Sequence, residues 1–78
     1  MIRRETASWS ACIRQERMAR NWRQRDLAEQ LGTSVLTIQR WERGHQQPSA
    51  YFRLKLCNLF GKSAEELRLV DGNPLPPL

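Results

Sequence analysis

Histidine occurs once in this chain, at His45, and cysteine only twice, at Cys12 and Cys57. That scarcity excludes most metal and nucleophile chemistry: no Cys/His cluster stands at metal-ligand spacing, and no Gly-rich loop is present to wrap a phosphate. No catalytic residue, metal, cofactor or small-molecule substrate is therefore expected. Two cysteines are also too few for the disulfide framework of a small secreted domain. Both sit in apolar or helical surroundings and read as small core residues in a reducing cytosol, so the expected location is cytoplasmic. Long apolar runs are missing too, and nothing approaches the roughly 18 residues of a membrane span. The opening MIRRETASWS is broken by charge almost at once and does not read as a secretory leader. Strand-like alternation and internal repeats are absent as well.

What the chain does have is positive charge, unevenly placed. Its 78 residues carry a net +5, enough chain for one small domain and one core. Residues 1–25 hold seven arginines against Glu5 and Glu16, whereas residues 26–60 come to +1 and the remainder to −1. Such asymmetry fits a polyanionic partner, nucleic acid or an anionic membrane surface, and equally fits a solvated helix face.

Punctuation marks five helical segments. The first spans about 6–20, with Trp9, Ile13 and Arg17 on one stripe. The second, 24–31, turns Leu27, Ala28 and Leu31 inward and stops at Gly32. Ser34 caps a third, which ends at Gly44. In the fourth, Phe52, Leu56, Leu59 and Phe60 form the apolar stripe, and Gly61 closes it. Ser63 and Glu66 have the spacing of a capping box for a short fifth helix over 64–70. Three prolines in DGNPLPPL forbid a helix there, so residues 1–70 read as a domain and 71–78 as a Pro-rich tail or linker. Helices 2 and 3, joined only across Gly32 and Thr33, have the steep connection of a helix-turn-helix.

The stretch QRDLAEQLGTSVLTIQRWERG resembles the Cro/repressor type of helix-turn-helix found in lambdoid phage regulators and many bacterial transcription factors. Gln24, Leu27, Ala28, Gly32, Ile38, Trp41 and Glu42 carry the likeness, which extends over about residues 8–70. It departs from the family at Arg23, where Ser or Thr is favoured as a cap, and at Thr33, often Val. The implied fold is all-α, a compact five-helix lambda-repressor-like domain with the helix-turn-helix at helices 2 and 3. The implied function is sequence-specific binding of double-stranded DNA by a transcriptional regulator.

Helix 3 contains Val35, Leu36, Ile38 and Trp41, which cannot all face one core. Ile38 and Trp41 define the inner face, and Val35 lies at its edge. Leu36 and Arg40 share the opposite face, with Thr37 close by. An exposed leucine is ordinary in itself. At the family's base-reading position, however, Leu36 is expected to touch DNA, within a set comprising Ser34, Val35, Leu36, Thr37 and Arg40. The resemblance implies phosphate contacts from Arg23 and Gln24 at the start of helix 2, where unpaired N–H groups attract anions. It implies others from the loop after helix 3, through Arg43, His45, Gln46 and Gln47. Arg17 and Glu42 each place a charge on an apolar stripe and are expected to pair, because an isolated buried ion is costly. The matching residues of the family form that bridge.

The rival reading is a protein-interaction module, or an antitoxin-like domain that binds a partner protein. Keeping Thr37, Arg40 and the polar HQQ loop together argues for DNA instead. A membrane-surface role is not expected, because the apolar stripe of helix 1 is needed for the core. YFRLKLCNLFGKSAEEL before a Pro-rich end resembles the N-terminal unit of larger bacterial regulators, and a complete small regulator is the alternative. Leu67, Leu69 and Val70 are too apolar for a solvated end and are the expected surface of a weak homodimer, or of a dimer formed on DNA.

Overall fold

The computed structural model describes residues 8–69, which form four helices: α1, Trp9–Ala19; α2, Gln24–Leu31; α3, Val35–Glu42; and α4, Ala50–Phe60. No strand occurs among these residues. Three helices begin at a serine hydroxyl. The Oγ of Ser8 accepts from the N–H of Ala11 at 3.2 Å, that of Ser34 from Thr37 at 3.1 Å, and that of Ser49 from Phe52 at 3.4 Å. Each satisfies a donor that the helix itself leaves unpaired. Thr6 and Ala7, expected inside the first helix, lie outside the described residues.

α2 starts differently, as its departure at Arg23 requires. An arginine side chain has no acceptor and cannot cap. Asp26 instead reaches back and accepts from the N–H of Arg23 at 2.8 Å, which puts a carboxylate at the positive end of the helix dipole. At its far end Gly32 takes the left-handed conformation (φ 74°), while the N–H of Thr33 bonds the carbonyl of Ala28 at 2.9 Å. α1 ends in the same way on Asn21 (φ 61°), whose short polar side chain tolerates that region.

The core takes side chains from every element: Ile13 of α1; Leu27, Ala28 and Leu31 of α2; Ile38 and Trp41 of α3; Leu56 and Phe60 of α4. All are at most 4% exposed. A fully buried side chain of this size contributes roughly 1.5–3 kcal/mol, so this cluster drives the folding. α3 packs on both α1 and α2, and the Trp41 ring meets Phe52 of α4 with centroids 5.4 Å apart. Cys12 and Cys57 are free thiols packed partly buried against the core, and burial pushes the Cys12 thiol upward, away from a reactive thiolate.

The expected fifth helix is a single turn, so the described domain has four helices. The capping box is real: Ser63 Oγ accepts from Glu66 N–H at 3.0 Å, and Glu66 Oε1 accepts from Ser63 N–H at 2.8 Å. The turn then closes at once, with Arg68 in the left-handed region (φ 60°) and Leu69 N–H bonded to the Ala64 carbonyl at 2.8 Å. Core burial explains the stop. Leu67 and Leu69 are 0% and 1% exposed, yet on a continuing helix they would point about 200° apart. Breaking the helix between them lets both go in. The expected dimer surface is corrected by the same fact, since its two leucines belong to the core. Val70 and the tail 71–78 lie outside the described residues.

A left-handed non-glycine residue costs roughly 1–2 kcal/mol, of which glycine's greater freedom when unfolded offsets up to about 1. Arg68→Gly is therefore expected to stabilise the domain by about 0.5–1 kcal/mol in urea melts. A loss of stability would show that the Arg68 side chain contributes more than its backbone costs.

Candidate nucleic-acid interface

The orientation of α3 is fixed at its last residue. Arg17 grips Glu42 through two parallel bonds, Nε to Oε2 at 2.7 Å and Nη2 to Oε1 at 2.9 Å. Its remaining Nη1 donates to the Trp22 carbonyl at 2.8 Å. The side chains are 12% and 5% exposed, so the pair is largely removed from water. Glu42 Oε1 also accepts from the Gln24 amide at 3.1 Å. One carboxylate thus ties α1, the α1–α2 connection, the first residue of α2 and the last of α3. Gln24, expected at a phosphate, commits one N–H inward, and its amide nitrogen carries a second.

Helix periodicity then decides what α3 presents. Ile38 and Trp41 are buried, Val35 is half-buried against the core, and Leu36 on the opposite side is 52% exposed. Arg40, one turn beyond Leu36, is exposed too. The Ser34 and Thr37 hydroxyls lie 3.0 Å apart and bond to each other. Past α3 the chain turns through Gly44, with the His45 N–H on the Arg40 carbonyl at 2.9 Å. This leaves Arg43, His45, Gln46 and Gln47 exposed, and Pro48 buries behind them. Gln39, half-exposed three residues past Leu36, belongs to this side but is absent from the sequence reading. Its signal was the i, i+3 spacing from Leu36.

The described arginines up to Arg43 separate into two groups. Arg17 is consumed by Glu42. Arg20 donates to the Glu16 carboxylate at 2.9 Å and the Phe60 carbonyl at 3.3 Å, with its guanidinium 4.8 Å from the Phe60 ring centre. Arg14, Arg23, Arg25, Arg40 and Arg43 are exposed, and their guanidinium groups make no hydrogen bond, ion pair or ring contact among the described residues. Of the α1 arginines expected to attract a polyanion, only Arg14 is available to do so. Arg25 at the start of α2 joins the outward set, although the sequence reading does not name it.

Glu16 is held between Arg20 and Lys62, whose Nζ lies 2.6 Å from Oε2. Burial alone would raise its carboxyl, but the hydrogen bonds from Lys62 and Arg20, with their charges, outweigh that and hold it below the ordinary range.

No helix among the described residues is long and apolar enough to cross a membrane, and no group of three His, Cys, Asp or Glu there could hold a metal ion. A family model described as Helix-turn-helix matches residues 13–67, from Ile13 to Leu67, both fully buried. The chain belongs to this helix-turn-helix family, of the Cro/C1 type, a family of DNA-binding regulatory domains and not typically of enzymes. No curated protein matches the chain.

Removing either partner of the Arg17–Glu42 pair strands the other in a site closed to water. Arg17→Ala and Glu42→Ala should each cost about 3–5 kcal/mol, and the double variant clearly less than their sum. Denaturant melts of the three proteins measure this, and additive losses would show that the two charges do not depend on each other.

The Glu16 site makes a separate claim on pH. A carboxyl lowered in the folded state stabilises above its unfolded value, near 4.5, and that stability fades as pH falls through the lower folded value. Melting temperatures taken from pH 6 downward should drop less steeply for Glu16→Gln than for the parent; identical acid limbs would contradict the assignment.

Proposed function

We propose that the chain binds double-stranded DNA sequence-specifically, as a bacterial, cytoplasmic transcriptional regulator. In this reading α2 and α3 form the helix-turn-helix and α3 lies in the major groove. One observation carries it: Leu36 and Arg40 stand together on the face of α3 opposite the buried Ile38 and Trp41, with the Arg40 guanidinium uncommitted among the described residues. Arginine matches the O6 and N7 of guanine, and an apolar group matches the thymine methyl. Thr37 lies beside them, with Ser34 and Val35 at the margin. Arg23, Gln24, Arg43, His45, Gln46 and Gln47 contact phosphates and set the register without reading sequence. The N-terminus of α2 adds its dipole.

One helix reads few base pairs, so two copies pair on half-sites about 34–36 Å apart. A protein-interaction module is the second reading. It is favoured by Tyr51 and Leu54, which are 63% and 62% exposed on one side of α4.

Selection from a randomised duplex pool, followed by titrations over single-base variants of the best site, tests this. Log affinity should fall linearly with log salt, at about −0.9 per phosphate contacted. Arg40→Ala should lose about 1–3 kcal/mol of discrimination at one G·C pair, and two proteins should saturate a duplex with two half-sites. Affinity independent of salt would overturn the DNA reading. Equal weakening of every variant by Arg40→Ala would overturn base readout, and one protein per duplex would overturn pairing.

A further inference from the structure

Leu36 and Arg40 are one helical turn apart on the same outward face, about 6 Å along the axis. Stacked base pairs rise about 3.4 Å, and an arginine is long enough to close the difference. With α3 in the major groove as proposed above, the two side chains can reach the edges of neighbouring base pairs. Leu36 has no polar atom, and the only apolar group on any major-groove edge is a methyl at C5 of a pyrimidine. Thymine carries that methyl by nature, and cytosine carries it at the same position once methylated. The two differ at C4, O4 against an amino group, which a leucine cannot distinguish.

Resting on the DNA-binding reading above, we infer that Leu36 and Arg40 read a 5-methylpyrimidine beside a guanine, whether the methyl belongs to thymine or to 5-methylcytosine. Cytosine methylation of a site then strengthens binding where cytosine stands in place of thymine. Leu36 is 52% exposed, so contact with the methyl removes apolar surface from water on both partners. Leu36 belongs neither to the buried core nor to the apolar side chains packed against it.

The probe is the best duplex from the randomised pool, at the pyrimidines flanking the guanine where Arg40→Ala loses discrimination. Thymine is compared there with uracil, and 5-methylcytosine with cytosine; each comparison differs by one methyl group. At one flanking position both methylated duplexes should bind about fourfold more tightly than their partners, the effect of burying one methyl. In Leu36→Ala both ratios should fall to about one, with the parent's melting temperature retained. Methyl ratios of one in the parent protein overturn the inference while leaving DNA binding intact. A thymine effect without a 5-methylcytosine effect overturns the equivalence of the two sources. Unchanged ratios in Leu36→Ala assign the methyl contact to another residue and overturn the role of Leu36. No binding to any duplex of the pool overturns the function proposed above and this inference with it.

Discussion

The Glu42 carboxylate is the point on which the remaining geometry depends. It accepts two bonds from Arg17 and one from Gln24, while Arg17 also holds the Trp22 carbonyl. α3 has only eight residues, too few to be stable alone, so its position has to come from tertiary contacts. Apolar packing of Ile38 and Trp41 supplies adhesion, but packing alone tolerates small rotations and slips. A bidentate pair does not. A buried ion pair is a weak source of net stability compared with an apolar replacement. Its effect here is geometric: rotation of α3 would misalign the pair, and the same rotation would turn the face shared by Leu36 and Arg40 away from its outward direction.

A second consequence is the sorting of charge. The chain is basic, yet charge placed by sequence position does not equal charge placed outward. Arg17 and Arg20 serve the interior, and Lys55 bonds the Leu31 carbonyl at the end of α2 at 3.0 Å. Lys62 offsets Glu16. Among the described residues the uncommitted guanidinium groups lie at Arg14, at Arg23 and Arg25 at the start of α2, at Arg40 and Arg43 along and just past α3, and at Arg68 in the last turn. Internal cations lock the helix ends, while two of the outward ones, Arg40 and Arg43, stand on α3 and at its C-terminal cap.

Much of the helical framework was legible because it depends on local signals. Ser34 caps with its own side chain, Gly32 and Gly61 take left-handed angles, and apolar spacing identified Leu27, Leu31, Ile38, Trp41, Leu56 and Phe60 as core. The Arg17–Glu42 pair was legible for a related reason: a charge on an apolar stripe demands a partner. The end of the domain was not legible. Ser63 and Glu66 form the box that their spacing predicts, but a start signal says nothing about length. That length was decided by the requirement to bury both Leu67 and Leu69. The use of Asp26 to cap α2, and the turning of Gln24 toward Glu42, likewise depend on residues that meet only when α1, α2 and α3 are packed.

The sequence by itself determined an all-helical domain, the faces of α2, α3 and α4, the ion pair and the family. Each follows from spacing along one helix or from a single residue's hydrogen-bonding needs, and such signals act within a few residues. Tertiary structure alone decided which arginines are inward, that the last turn is core and not a dimer surface, and that the Arg40 guanidinium is uncommitted among the described residues. Those outcomes depend on which distant groups arrive within about 3 Å of one another, and only the folded chain brings them together.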